Sequence, residues 1–385
     1  MPDRPPAVRT DGTNAFAHRS MKARIPSIID DVIARNPDRP PAVHDALRAL
    51  RDAIRADAAL TPLRQPTPDA DWWAERLAER PAASWLDGEW FFVELYAYRK
   101  MLEATRYWTT QQDPFRPMKH DDIHDAALPD VVTRALQPFE TPADMLTHRL
   151  HAALWGNRMD RSIAAAHAQG TQAADDHLLV NDIPAAVEHL LQTDRGTVHV
   201  VMDNAGTEQA LDFALADGLL THDLAETVVL HVKMAPVLIS DVTPADVPPL
   251  LDRLAEAGGP LRALAEQFRQ HIADGRLRIV PDFFWTTDGR WFERPARLAA
   301  PLQAAALVIV KGDANYRRIT NDALWPAEAT LADALGPGSG SVLALRTIKS
   351  DTLVGVPPAT VHRLDEASDD WRTTGTYAVA SFAQT

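Results

Sequence analysis

The 385-residue chain contains no cysteine. That absence excludes disulfides, thiolate zinc sites, iron–sulfur clusters and a cysteine nucleophile. Long apolar runs are missing as well. No stretch approaches the roughly 18 uninterrupted apolar residues of a membrane span, and the N-terminus carries no apolar signal core. Cytoplasmic residence without a membrane partner is the expectation that follows. Basic charge is in short supply: Lys and Arg total 39 against 53 Asp and Glu, a formal net charge of -14. That balance argues against nucleic acid as a partner, since nucleic acid is held mainly through basic surface. Lysine is the scarcest cation, at 6 residues against 33 arginines. In so arginine-biased a chain, the place of each lysine carries information.

What is present describes a globular protein. Hydrophobic residues make up 46% of the chain and charged residues 24%, and the length suits about two domains. Residues 1–20 are polar and proline-rich and read as a loose tail. Residues 21–176 read as a helical region. Within it, Pro41–Ala58 and Trp90–Trp108 repeat apolar residues at three- and four-residue spacing, and Leu128–Leu154 carries the same pattern. From residue 177 the character changes. Thr197–Asp203, Thr227–Met234, Leu277–Val280, Ala306–Val310 and Val342–Arg346 are short β-branched runs, apolar on both sides of the strand period. Helical stretches such as Thr207–Leu220 and Ala245–Ala257 separate them. The alternation predicts a mostly parallel sheet in a three-layer, Rossmann-like α/β domain over residues 177–385. The Gly336–Gly340 run precedes a strand instead of following one, so it is a turn and not a dinucleotide fingerprint.

Ligands of open α/β sheets bind beyond the carboxyl ends of the strands. There the first run delivers Asp203, Asn204 and Glu208; the second delivers Lys233 and, further on, Ser240 and Asp241. The fourth run delivers Lys311, Gly312, Asp313, Asn315 and Arg317, and the fifth Arg346 and Lys349. Three of the six lysines sit in these segments. A single polar residue after a strand is commonly a cap or turn former, but four strand ends aimed at one rim suggest a shared site. Asp203, Asn204 and Asp241 offer only oxygen donors, which suits Mg²⁺ or Mn²⁺. Lys311, Arg317, Arg346 and Lys349 have the charge to surround an anion. A divalent ion beside a cationic cradle is what phosphoryl transfer requires.

At these residues the sequence resembles the damage-control phosphatases, the domain-of-unknown-function-89 group. The likeness is to the branch of acidic-residue methyltransferase-like proteins and sugar-phosphate phosphatases. The segments that carry it are Glu94–Arg99, Asp113–Phe115, Leu154–Asp160, Leu179–Asp182, Asp203-Asn-Ala-Gly-Thr-Glu208, Lys233 with Ser240–Asp241, Lys311-Gly-Asp-Ala-Asn-Tyr-Arg317 and Arg346-Thr-Ile-Lys349. The resemblance implies a divalent metal (Mn²⁺, Co²⁺, Ni²⁺ or Mg²⁺) on Asp203, Asn204 and Asp241. It implies substrate or phosphate contacts from Glu208, Asp313, Asn315, Arg317 and Lys349, with Lys311 nearby. Glu94, Arg99 and Trp155 are expected in interdomain packing and buried ion pairs, with Asn157 and Asp160 as a supporting layer. The activity implied is hydrolysis of a small phosphorylated metabolite. Two other readings stand beside it: an S-adenosylmethionine-dependent carboxylate methyltransferase, and a non-catalytic protein that binds metal or phosphometabolite. Oligomeric state is left open.

Overall fold

A computed structural model of the chain describes residues 4–156 and 177–385. Seven strands form one sheet in the order β1-β7-β6-β5-β2-β3-β4. They are β1 (Leu178–Asn181), β2 (Thr197–Val201), β3 (Thr227–Lys233), β4 (Leu277–Asp282), β5 (Leu307–Lys311), β6 (Ser341–Thr347) and β7 (Ala378–Gln384). All neighbours are parallel except β6 and β7, which run antiparallel. The five expected strands are there, in a mostly parallel three-layer α/β domain. Two further strands complete the sheet. β7 is rich in Ala and Ser and so carries little β-propensity, and β1 is a four-residue edge strand.

Alternation along the central strands sends side chains into two separate cores. Val198, Val200 and Met202 of the β2 segment, with Leu307 and Ile309 of β5, pack under the helices Thr207–Thr221, Val247–Ala257 and Gly259–Ala273. Val201, Val308 and Val310 face the opposite layer, against Trp285, Tyr316 and Ile319. Both faces are therefore dry, which is why these strands read as unbroken apolar runs.

The N-terminal helices build a third core around Leu47, Ile54, Trp73, Phe92 and Tyr96. Pro41–Arg55 shows why its segment is helical: Pro41 opens it, and Val43, Leu47, Leu50 and Ile54 line one buried stripe. Packing divides the chain elsewhere than at residue 177. The helices Leu128–Ala135 and Pro142–Trp155 belong to the core of the sheet's first face, so the helical module proper ends near Phe115. They pack mainly on the helix Thr207–Thr221 that covers this face, a choice that periodicity does not encode.

The expected loose tail is also corrected. Val8 donates to the Asp322 carbonyl at 2.8 Å and Thr10 to that of Gly88 at 2.9 Å, while Trp90 donates to the Val8 carbonyl at 2.8 Å. Thr10 and Ala17 are buried, and Asn14 caps the short helix Ala15–Arg19. Backbone pairing, which proline-poor residues 7–10 still permit, straps the helical module to the sheet domain.

Candidate active site at the switch point of the sheet

From β2 the chain proceeds outward to β3 and β4, then returns to the other side of β2 as β5. The carboxyl ends of β2 and β5 therefore flank the switch point, where open α/β sheets leave a crevice. Asp203 and Asn204 follow β2; Gly312 and Asp313 follow β5. The loop after β3 folds back onto the same place. Val242 donates its backbone N–H to the Asp203 carbonyl at 2.9 Å, and Ala205 donates to the Ser240 carbonyl at 2.7 Å. Asn204 and Asp241 thus pair as an isolated antiparallel bridge.

That return is held by a tight turn. Ser240 donates its N–H to the Leu238 carbonyl at 2.9 Å, which closes a γ-turn on Ile239. Leu238 and Ile239 have φ of 51° and 73°, in the left-handed region that is costly for a β-branched residue. Val237, Leu238 and Ile239 pack into the core of the helical module. The module therefore holds the strained turn that delivers Asp241.

The side chains form one buried network. Asn204 Nδ2 donates to Asp203 Oδ2 at 2.8 Å and to Glu208 Oε2 at 2.9 Å, while Ser240 Oγ donates to Asn204 Oδ1 at 2.5 Å. Lys233 Nζ stands 3.0 Å from Asp241 Oδ2. Burial, then the negative charges of Glu208 and Asp241, push the Asp203 carboxyl well above the ordinary range; Lys233 and Lys349 pull the other way. Burial raises Asp241 likewise, against the opposing Lys233 charge. Asp212, one helical turn beyond Glu208, is pushed up to about 6 by burial despite the neighbouring Lys311 ammonium.

This donor set fits an oxygen-preferring divalent ion. Asp203, Asn204 and Asp241 bring hard oxygens together at one strand end, and the crowding of carboxylates there is the charge that a cation relieves. Two features qualify the fit. Among the described residues no three His, Asp or Glu side chains by themselves make an ion-holding group. As it stands, the Asn204 amide also turns its nitrogen to Asp203 and its oxygen to Ser240, so it must rotate to act as a ligand.

The cations expected to cradle an anion are mostly committed elsewhere. Lys311 Nζ donates to Glu208 at 3.0 Å and to Asp212 at 2.7 Å. Arg346 holds Asp313 at 2.7 Å and donates to Ser350 and to the Thr352 carbonyl. Arg317 pairs with Glu94 at 2.6 Å and Asp322 at 2.7 Å, with its guanidinium 3.8 Å from the Trp90 ring centroid. A buried cation has to find such partners or lose more in desolvation than it gains. Asn315 Nδ2 donates to the Lys311 and Met202 carbonyls at 2.8 Å and 3.2 Å and so ties β5 to β2. Lys349 differs from the rest. Its backbone N–H donates to Asp313 at 3.1 Å, its side chain is only partly buried, and among the described residues it has no ion-pair partner. Its charge reaches Asp203.

Several supporting residues carry weak sequence signals. Glu94, expected in interdomain packing, is there, against Arg317. Arg99 forms a buried ion pair as expected, with Asp69 and within the helical module. Trp155 is buried in the core of the sheet's first face. Asn157 and Asp160 lie outside the described residues. Asp212 was missed, although its spacing of four from Glu208 on one helix is a readable signal. Tyr98, a buried phenol on which the charges of Arg24, Glu94 and Asp241 all act, had no such signal.

A Rossmann-like sheet with an oxygen-donor cluster at its switch point defines a class of α/β proteins able to hold a metal and an anionic ligand. Within that class, a family model described as the damage-control phosphatase ARMT1-like domain matches residues 20–364, and the chain belongs to this family. Similar full-length relatives carry the name damage-control phosphatase ARMT1. The one from Danio rerio is 27% identical, covering 96% of this chain and 95% of the relative. The one from Homo sapiens is 25% identical, covering 98% of each. A solved structure of a DUF89 family protein from Pyrococcus horikoshii aligns over 96% of this chain and 98% of its own, at 15% identity and a TM-score of 0.48.

Proposed function

We propose that this chain is a metal-dependent phosphatase that hydrolyses small phosphorylated metabolites, such as sugar phosphates or damaged cofactor phosphates. The observation that carries the reading is the bridge between Asn204 and Asp241, which gathers the Asp203, Asn204 and Asp241 oxygens beside Lys349, a lysine without an ion-pair partner among the described residues. In this reading those three side chains hold Mn²⁺, Co²⁺, Ni²⁺ or Mg²⁺. The ion, when bound, supplies Lewis-acid polarisation of the phosphoryl group. Lys349 takes a phosphate oxygen. Lys311, Arg346 and Arg317 act at one remove: Lys311 holds Glu208, Arg346 holds Asp313, and Arg317 braces the helix that carries both Asp313 and Asn315. Glu208, fixed by Lys311 and Asn204, contacts the substrate or its attacking water. Asp313 accepts bonds from Arg346, the Lys349 N–H and Ser350. That load blunts it as a nucleophile and leaves Asp241 or water as the attacking group.

The test is phosphate release from a panel of sugar phosphates and phosphorylated cofactor fragments. Metal-stripped protein is assayed with each ion restored, beside an Asp241→Ala control. Metal-dependent release that the control loses supports the reading. A folded protein that releases none with any ion refutes it and returns the question to methyl transfer or simple binding. Acid quench under single turnover distinguishes a phosphoaspartate from direct attack by water.

A further inference from the structure

The loop that carries Asp241 is held at both of its ends. On the β3 side the holders are Lys233 and the turn at Leu238 and Ile239. On the far side, before the helix Val247–Ala257, a different cation holds it. Asp246 Oδ2 accepts the Thr243 N–H at 2.8 Å, the Thr243 hydroxyl at 2.7 Å and Lys119 Nζ at 2.8 Å. Thr243 stands two residues beyond Asp241. Between them, Val242 donates its N–H to the Asp203 carbonyl at 2.9 Å and accepts that of Lys233 at 2.9 Å. One carboxylate oxygen thus fixes the end of the segment from which Asp241 projects.

Lys119 is one of only six lysines and is 1% exposed. It belongs to the helix Arg116–Ile123, which lies between two cores: Met118 packs against that of the helical module, and Ile123 is part of that of the sheet's first face. The second partner of Lys119 is Asp113, with Oδ2 at 3.1 Å. Asp113 Oδ1 in turn accepts the Phe115 N–H at 2.7 Å. The Asp113–Phe115 segment, which takes no part in the proposed chemistry, thereby orients Lys119.

The same helix touches the other ligand-bearing segment. A Cβ built on Gly206, two residues after Asn204, would stand 2.7 Å from Asp122 Cβ and 3.2 Å from the Asp122 carbonyl carbon. One helix therefore backs both stretches of chain that supply Asp203, Asn204 and Asp241.

We propose that Lys119 is a positioning residue for the divalent ion: by holding Asp246 it sets where Asp241 stands relative to Asp203 and Asn204. This rests on the metal site of the phosphatase reading and not on the substrate assigned there. Groups behind metal ligands act by orienting them before the ion arrives, which reduces the ordering that binding must supply.

The experiment titrates Mn²⁺ into metal-stripped protein without substrate and reads the free ion by its paramagnetic resonance signal. The native chain is compared with Lys119→Met and Asp113→Asn. Lys119→Met is expected to raise the Mn²⁺ dissociation constant about tenfold to a hundredfold. Asp113→Asn discharges the other partner of Lys119 but keeps the bond to Asp246, so it should retain native affinity even where its melting temperature falls. Thermal melts of the metal-free proteins check folding. Should Lys119→Met not fold, Thr243→Val, which deletes the hydroxyl bond to Asp246, is read in its place, and weaker Mn²⁺ binding is expected of it. Native affinity in the folded variant that is read, or an equal loss in Asp113→Asn, overturns the proposal, while Mn²⁺ binding by the native chain keeps the metal site. If the native chain binds neither Mn²⁺ nor Co²⁺, Ni²⁺ or Mg²⁺, the metal site falls, and the phosphatase reading and this inference fall with it.

Discussion

A side chain at Gly312 would have to share space with Asp203: a Cβ built there stands 2.0 Å from Asp203 Oδ2. The loop after β5 therefore presses its backbone directly on the carboxylate that ends the β2 segment. Gly312 also has φ of 83°, where L side chains are strained. The two requirements coincide at one residue because β2 and β5 are neighbours at the switch point.

Gly312→Ala is expected to displace Asp203 and to pay for the left-handed backbone. A loss of about 1–3 kcal/mol in unfolding free energy and a fall of about a hundredfold or more in kcat/KM are the expected outcomes. Urea titration and metal-dependent phosphate release measure them.

Arg317 and Lys349 separate support from contact. Arg317→Met leaves Asp322 and half of Glu94 buried without a cation, so stability drops by about 3–5 kcal/mol. Lys349→Ala removes a partly exposed charge that has no ion-pair partner among the described residues, and should stay within about 0.5 kcal/mol of native. Its kcat/KM should nevertheless fall by about a hundredfold. Equal stability loss in both variants would refute the distinction.

Metal removal should be visible without turnover. If Asp203, Asn204 and Asp241 hold an ion, adding Mn²⁺ at a hundred times its dissociation constant stabilises the native chain by about 2.7 kcal/mol. Asp241→Ala should show no such shift in thermal melting.

His199 Nδ1 and His231 Nε2 face each other at 2.8 Å inside the sheet. One must donate and the other accept, so the accepting ring is neutral there. Burial and the Arg278 charge lower His199 to about 4, and burial with the His199 charge lowers His231 to about 3. In the unfolded chain each titrates near pH ~6.5. Stability from the pair is complete above that pH and is lost as pH falls toward 4 and then 3, because the unfolded chain takes up protons that the fold refuses. Urea midpoints should fall between pH 7 and pH 4, and His199→Gln should flatten that slope. An unchanged slope would refute it.

The sequence alone carried the architecture of the sheet. β-Branched runs buried on both faces have one reading, and their order with the intervening helices set a parallel, three-layer domain. The Asp203-Asn204 and Lys311-Gly312-Asp313 strings were legible because strand ends are where such sheets expose chemistry. Ala-rich β7 was not legible, since small residues carry no strand signature and its pairing comes from β6. Nor could residues 7–10 be told from a loose tail, because backbone hydrogen bonds leave no mark on side-chain pattern.

Which cations remain free was decided only by tertiary structure. Lys311, Arg346 and Arg317 look alike with Lys349 along the chain, but Asp212, Asp313, Glu94 and Asp322 claim the first three. Glu94 comes from another module, 223 positions away from Arg317. A charge buried in protein must be paired, and its partner is whichever opposite charge the fold brings within reach. Sequence can name the charged residues at a strand end; the folded chain determines which of them are already neutralised and which are left for a ligand.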